Sequence, residues 1–143
     1  MEIRALTIED YDAIIQLWTR AGLPFKPKGR DSRQMVKRQM VTSPGLFVGI
    51  FDHERLVGLV IGSYDTRMKG WINRLAVDPR YRRQGIAQEL VKKVEESLEK
   101  RGAAVFGALI ETPNEESLQV FGKLGYSPHP DILYVSKRKS KDV

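Results

Sequence analysis

Residues 77–87 constrain the fold of this chain more than any other segment does. An apolar run ends at Val77-Asp78-Pro79, a short basic loop follows, and a helical pattern begins at Gly85. Pro79 has no amide hydrogen to continue a strand ladder, and Gly85 leaves the helix start free of a side chain. The pattern predicts a strand, a loop and a helix whose first main-chain N–H groups lie open to one ligand.

The loop before this helix suits an anion. A helix N-terminus carries about half a positive charge together with unsatisfied N–H donors. Arg80, Arg82 and Arg83 add positive charge there. The chain has neither a Gly-x-x-x-x-Gly-Lys-Ser/Thr run nor a Gly-x-Gly-x-x-Gly run, which disfavours the nucleotide loops with those signatures. A basic turn without a ligand explains the same residues, so both interpretations stay open on physical grounds.

Composition predicts one globular domain over residues 1–143. Hydrophobic residues make up 41% of the chain and charged residues 29%, a balance that disordered segments lack. The chain has no cysteine, which excludes a thiol nucleophile and a disulfide scaffold. Its two histidines, His53 and His129, are isolated in the sequence and predict no metal site.

The charge balance favours anionic partners. The chain has 24 basic and 18 acidic residues and a formal net charge of +6, which suits coenzyme A or RNA alike. Because no aromatic motif interrupts a basic patch, we expect no specific nucleic-acid binding. The apolar runs are too short to span a bilayer and the N-terminus lacks a signal-peptide pattern, so we expect no membrane association and a cytoplasmic location.

Strand and helix signals alternate along the chain. The predicted strands cover residues 2–6, 46–51, 56–64, 70–77, 104–110 and 132–136. The predicted helices follow Thr7, cover residues 32–41 and 85–101, and run from after Asn114 to Leu124. Strict alternation in 70–77 places Asn73 on the face of Leu75 and Val77, and Arg74 on the other face. Residues 104–110 are apolar enough for a parallel strand buried on both faces. The charged tail, residues 137–143, is expected to be solvated.

Two segments carry a resemblance to a known family. Arg82-Arg83-Gln84-Gly85-Ile86-Ala87 matches the Arg/Gln-x-x-Gly-x-Gly/Ala loop of the GNAT superfamily, the acyl-CoA-dependent N-acyltransferases. Further along, Asn114-Glu115-Glu116-Ser117, Phe121 and Gly125-Tyr126 resemble that family's Asn-x-x-Ala/Ser-x-x-x-Tyr/Phe-x-x-x-Gly-Phe/Tyr helix. With the order of elements, the resemblance covers nearly the whole chain.

The resemblance implies a fold and an activity. The fold is an α/β GNAT acyl-CoA N-acyltransferase fold, with a mixed central sheet of about six to seven strands and about four flanking helices. The activity is transfer of an acetyl group from acetyl-CoA, the cosubstrate, to a primary amine of a small molecule, a protein N-terminus or a lysine. The amine attacks directly in a ternary complex, without a metal. The partners are acetyl-CoA and the amine acceptor, and a homodimer is a possible assembly.

The resemblance also implies cofactor-binding residues. The main chain of the strand before the loop would bind pantetheine, and the loop amides would bind the pyrophosphate. Capping of the following helix is an alternative role for the motif asparagine. The implied positions are Leu75, Ala76, Val77, Arg82, Arg83, Gln84, Gly85, Ile86, Ala87, Gln88, Asn114 and Phe121.

The candidate catalytic residues are Glu111, Asn73 and Tyr126. Many relatives place a tyrosine, the donor of a proton to the leaving thiolate, where this chain has Phe121, and a phenyl ring cannot donate one. The remaining candidates for that proton are Tyr64, Tyr126, Tyr134 and a water relay.

The base also departs from the pattern of some relatives. Those that acetylate protein N-termini often carry a glutamate at the position of Leu109 here, and Glu111 lies two residues later. These departures favour one rival interpretation, a catalytically weak acyl-CoA-binding sensor or interaction module. Lys26, Lys28 and Arg30 lie in a loop on the implied acceptor side, where they suit an acidic acceptor or are ordinary surface charge.

Overall fold

The computed structural model describes residues 1–111 and 114–143 and consists of one sheet with helices on both faces. No helix in that part of the chain is long and apolar enough to cross a bilayer. Short 3₁₀ turns at Ile8–Asp10 and Pro79–Tyr81 precede the first and third helices. The strands are β1 (Glu2–Ala5), β2 (Phe47–Asp52), β3 (Arg55–Tyr64), β4 (Lys69–Val77) and β5 (Val105–Ala108). The helices are α1 (Tyr11–Ala21), α2 (Arg33–Thr42), α3 (Ile86–Arg101) and α4 (Glu115–Lys123).

The sheet is mixed and has the order β1-β2-β3-β4-β5. The first three pairs are antiparallel and β4 pairs with β5 in parallel, so the predicted α/β class and the parallel neighbour are confirmed. The described residues form five strands, fewer than the six to seven expected, because residues 132–136 pair with nothing in the sheet.

The edge position of β5 follows from that missing pair. The prediction of a strand buried on both faces was wrong, since Val105 is 52% exposed and β4 is the one strand of residues 1–111 and 114–143 that pairs with β5. The apolar run from Ile132 to Val135 stays between 67% and 85% exposed. An apolar β-type pattern indicates a strand, but it does not supply the neighbour that the strand needs.

Each face of the sheet has its own apolar core. On one face, the α3 residues Leu90, Val94 and Leu98 are completely buried, which confirms the predicted amphipathic stripe. On the other face, Ile14, Leu17 and Trp18 of α1 are completely buried against β2 and β3. Burial of one such side chain stabilises the fold by about 2 kcal/mol, so the two helices hold the sheet between them.

A β-bulge interrupts β4 at Arg74. Leu59 lies opposite Ala76 while Ile61 lies opposite Asn73, so Val60 faces two residues of β4 instead of one. Arg74 adopts a left-handed φ of 57°, which is uncommon outside glycine.

The bulge overturns the predicted alternation of side chains. Ile72, Leu75 and Val77 all pack in the core on the α3 face. The side chains of Arg74 and Asn73 both lie on the α1 face, Arg74 over the Trp18 ring and Asn73 opposite Ile61. Because one extra residue reverses the pleat, two polar side chains that the sequence places on opposite faces come to the same face.

Asp78, just after β4, fastens the start of the basic loop. Its side chain is 1% exposed and accepts hydrogen bonds from Arg20 of α1 at 2.9 Å and Arg55 of β3 at 3.1 Å. Its other oxygen accepts from the Arg80 amide at 3.0 Å. Burial acts to raise the pKa of Asp78, but the Arg80 amide and the two guanidinium groups together hold that pKa below its ordinary value.

We expect Asp78→Asn to lower the free energy of unfolding by about 2 to 3 kcal/mol at neutral pH, because a buried acceptor of three hydrogen bonds loses its charge. A lowered pKa stabilises the fold above the ordinary value of 3.8, and that contribution is lost as pH falls through the folded-state pKa. The difference from wild type in urea unfolding should therefore shrink in acid. Glu96→Gln is the matched control, since its pair with Lys93 is exposed. A loss no larger than the control's would contradict the role of Asp78.

Candidate active site

A gap opens between β4 and β5. Their parallel pairing ends where Ile72 meets Ala108, whereas β4 continues to Val77. On its other edge, β4 stays paired with β3, with Ala76 opposite Leu59 and Val77 opposite Gly58. Among the described residues, none pairs with residues 73–77 on the β5 side, and we call this stretch, which begins at the bulge at Arg74, the gap.

The basic loop leads from this gap to an open helix N-terminus. Gly85 is the N-cap of α3 with a left-handed φ of 78°, and a Cβ added there would meet nothing within 4 Å. Arg83 is left-handed as well, with a φ of 64°. Arg82, Arg83, Gln84 and Gly85 are all exposed. The amides of the first turn of α3 therefore face open space beside exposed cationic side chains.

Two other helices, α2 and α4, have a side-chain cap, whereas α1 has none and continues directly from the 3₁₀ turn at Ile8–Asp10. The Ser32 hydroxyl accepts from the Met35 amide at 3.3 Å at the start of α2, and the Asn114 side chain accepts from the Ser117 amide at 3.2 Å at the start of α4. No side chain of the described residues caps α3 in this way. Asn114 therefore acts as a helix cap in the structure, and the donors of α3 are left for another acceptor.

Asn73 and Glu111 each follow the paired part of their strand. Asn73 follows Ile72, the last β4 residue that pairs with β5. It is half-buried and donates from Nδ2 to the Ser63 hydroxyl at 3.1 Å. Glu111 comes three residues after the end of β5 and is exposed. Phe121 of α4 is 5% exposed and packs in the core on the α3 face. Thr112 and Pro113, which connect Glu111 to Asn114, lie outside the described residues.

Tyr126 is directed towards α3. Its hydroxyl donates to the Glu95 carboxylate at 2.5 Å, and its ring meets the Phe121 ring edge to face at 4.9 Å between centroids. Burial raises the pKa of Tyr126 strongly, and the bond to the Glu95 carboxylate raises it further. Both effects make this phenol a poor proton donor to a thiolate.

The other two tyrosine candidates lie elsewhere. The Tyr64 hydroxyl accepts from the Met68 amide at 3.3 Å, at the end of β3 that pairs with Gly70 and not at the bulged end of β4. Tyr134 is 67% exposed in the unpaired segment near the C-terminus. The structure therefore brings none of the three hydroxyls to the bulge of β4.

A buried ion pair beside the bulge leaves no signature in the sequence. Arg74 donates to the Pro24 carbonyl at 2.8 Å and lies 3.6 Å from the Asp31 carboxylate, which itself accepts from the Lys26 amide at 2.7 Å. Asp31 is 7% exposed, although it lies in a loop rich in charged residues. Its neighbours in sequence gave no signal of burial, because its partner is a residue of the distant β4.

The chain matches the family model described as the acetyltransferase (GNAT) family over residues 11–126. An acetyltransferase of Sodalis glossinidius (strain morsitans) is 30% identical over 142 residues, which cover 99% of this chain and 98% of that protein. The chain belongs to the GNAT family of acetyltransferases, as the two motifs predict.

Solved structures share the fold. The PaiA N-acetyltransferase of Thermoplasma acidophilum, in complex with coenzyme A, has a TM-score of 0.75 at 24% identity and covers 88% of this chain and 89% of its own. AAC(6')-Iy, in complex with a bisubstrate analogue, has a TM-score of 0.77 at 16% identity, with coverage of 96% and 97%. At these identities the likeness establishes the fold alone.

We expect Tyr126→Phe to leave kcat nearly unchanged, because its hydroxyl already donates to Glu95 and its raised pKa makes it a poor proton donor. The variant should lower the free energy of unfolding by about 1 to 2 kcal/mol, the contribution of one hydrogen bond to a charged group. Glu95→Gln is the companion variant, since it removes the charge and leaves the phenol in place. A loss of kcat of about a hundredfold or more in Tyr126→Phe would restore it as the acid.

Proposed function

We propose that this acetyltransferase carries an acetyl group from acetyl-CoA to a primary amine and that residues 1–143 act as one domain. The proposal rests on the way in which the gap leads to the open N-terminus of α3. Residues 73–77 of β4, unpaired towards β5, lead through a basic loop to the uncapped N-terminus of α3. A long ligand with amide groups at one end and a pyrophosphate at the other matches this sequence of features.

The pantetheine part of the coenzyme would lie along the gap. It contains two amides in an extended chain, so it can pair with a strand edge as an added strand does. The main-chain groups of Leu75, Ala76 and Val77 on the β5 side are the partners we assign to it. Phe121 adds an apolar wall from α4. Binding through main chain leaves these side chains free to pack in the cores.

The pyrophosphate would accept from the amides of the loop and the first turn of α3. The assigned donors are those of Arg83, Gln84, Gly85, Ile86, Ala87 and Gln88. The helix dipole and the exposed guanidinium groups of Arg82 and Arg83 supply complementary charge. Gly85 matters most among these residues, because the space above it is open and any side chain would enter it.

The reaction needs a base, an oxyanion site and a proton for sulfur. The amine nitrogen attacks the thioester carbonyl carbon, the carbon–sulfur bond breaks, and the products are an N-acetyl amine and coenzyme A. We assign the removal of the amine proton to Glu111, and the orientation of the amine or a water to Asn73, which Ser63 holds in place. Because the Tyr126 hydroxyl is committed to Glu95, an ordered water returns the proton to the thiolate.

The second candidate function is an acyl-CoA sensor or interaction module without turnover. Phe121 and the committed Tyr126 favour it, since neither can protonate a leaving thiolate. Release of coenzyme A across a panel of amines separates the two functions. The chain has no cysteine, so a thiol reagent reads the released coenzyme without a protein background. Tight binding of acetyl-CoA with no release from any amine would favour the sensor.

We expect Gly85→Glu to abolish coenzyme A binding in calorimetry, because the new carboxylate stands where the pyrophosphate lies. The left-handed φ adds a backbone cost of about 1 kcal/mol, which the fold tolerates. Gly45→Glu is the matched control, since Gly45 has a φ of 82° and open space around it, and it lies beside Pro44, which contacts Arg101 at the opposite end of α3. Unchanged affinity in Gly85→Glu would overturn the pyrophosphate placement.

We expect Glu111→Gln to lower kcat by about a hundredfold or more, because the amide cannot accept the amine proton. Coenzyme A affinity should stay at the wild-type value, since Glu111 is not among the assigned binding groups. Glu99→Gln on the exposed side of α3 removes the same charge at a remote position. A kcat equal to that of the control would remove Glu111 from the mechanism.

A further inference from the structure

The end of the chain contacts the α1–α2 loop, residues 22–32, at Asp142, while residues 137–141 and 143 are exposed, as expected of a solvated tail. The Asp142 carbonyl accepts from the Arg30 amide at 3.1 Å. Gly29 lies so close that a Cβ added there would come within 2.0 Å of that carbonyl oxygen. Within the tail, the Asp142 amide donates to the Ser140 hydroxyl at 3.2 Å and Arg138 donates to the Val143 carbonyl. Main-chain contacts therefore hold the tail in place.

A cleft of about 400 Å³ lies between this loop and the tail, and we call it the tail cleft. Three lysines, one aspartate and two apolar residues line it. Among the described residues, none of the ion pairs includes any of those three lysines. The tail cleft is therefore a concave cationic surface with an apolar base. Its lining residues are Phe25, Lys26, Pro27, Lys28, Lys141 and Asp142.

The one carboxylate of the loop itself is used elsewhere. Asp31 is buried, accepts from the Lys26 amide at 2.7 Å and faces the Arg74 guanidinium at 3.6 Å. Its charge is directed at the bulge of β4 and does not neutralise the lysines of the tail cleft. The contact also fixes the loop, because the amide of Lys26 is tied down just before Pro27 and Lys28.

The same contacts connect the tail cleft with the gap. Arg74 binds the Pro24 carbonyl at 2.8 Å, and Arg74 directly precedes the β4 residues that we assign to pantetheine. The loop thus lies on the α1 face of the strand whose edge faces the gap. The loop that lines the tail cleft and the strand that faces the gap are therefore joined through Arg74.

We propose that the tail cleft binds an anionic group, a carboxylate or a phosphate, carried by the amine acceptor, and that the tail contributes Lys141 to it. The identity of the ligand as an amine acceptor rests on the proposed acetyl transfer. Anion binding itself can be tested without the coenzyme. Three cations at a concave surface select an acidic amine over a neutral one of equal size.

Amide NMR titrations of the full chain test anion binding without coenzyme. The probes are inorganic phosphate and glutarate, each at constant ionic strength. We expect saturable shifts of the amide NMR signals in residues 25–30 and 140–142. The affinity for either probe should be about tenfold weaker in the triple variant, because it loses three partly exposed cations. The triple variant is Lys26→Gln/Lys28→Gln/Lys141→Gln. The matched control, with the same charge lost on α3, is Lys92→Gln/Lys93→Gln/Lys100→Gln.

Gly29→Ala tests whether the tail contributes to anion binding. The variant keeps every lysine but leaves no room for the Asp142 carbonyl. Its affinity for phosphate should fall to that of Lys141→Gln alone. Absence of saturable shifts in the tail cleft, or equal affinities in the test and control triple variants, would overturn the inference. Shifts confined to residues 83–88 would place the anion at the α3 terminus instead.

Coenzyme release with matched amines tests the acceptor. The probes are 3-amino-1-propanol, its phosphate ester and 4-aminobutyrate. The two anionic amines should differ in kcat/KM if the tail cleft prefers phosphate over carboxylate or the reverse. We expect kcat/KM to favour an anionic amine, and the triple lysine variant to lose that preference while keeping its rate with the neutral amine. Release with the neutral amine only would overturn the inference and leave acetyl transfer standing. No release from any amine would instead refute the proposed function, and the titrations would still decide whether the tail cleft binds anions.

Discussion

The bulge at Arg74 is the constraint on which the arrangement of this protein depends. One extra residue in the central strand reverses the pleat, so Asn73 and Arg74 both lie on the α1 face while Leu75 and Val77 pack towards α3. A left-handed arginine costs about 1 kcal/mol or more, and the cores on both faces hold it in place. This strained residue lies where β4 loses its partner β5.

Two loops are fastened to the ends of the bulged segment by buried carboxylates. Asp78 holds the basic loop through two arginines and a main-chain amide, and Asp31 holds the α1–α2 loop against Arg74. Each carboxylate joins elements that are far apart in the sequence. The same strand, β4, therefore helps to position the gap, the N-terminus of α3 and the loop that lines the tail cleft.

The parts of the fold that the sequence predicts are those determined by local pattern. The α3 helix, the glycine at its start (Gly85) and the parallel partner of β4 follow from periodicity and turn chemistry. The bulge does not, because nothing in Asn73-Arg74-Leu75 distinguishes two residues on one face from strict alternation. The burial of Asp31, the bond of Tyr126 to Glu95 and the docked tail depend on partners distant in sequence. Residues 132–136 have the pattern of a strand, but a strand forms only with a neighbour.

The uncapped N-terminus of α3 has a thermodynamic consequence. A side-chain cap such as Ser32 or Asn114 contributes about 1 kcal/mol to a helix, and α3 forgoes it. Any anion that accepts from those amides binds the folded chain and not the unfolded one, so occupancy and folding are linked. The melting temperature then rises with the logarithm of ligand concentration. Thermal stability becomes a direct measure of which coenzyme fragments the helix end accepts, with no acceptor amine needed.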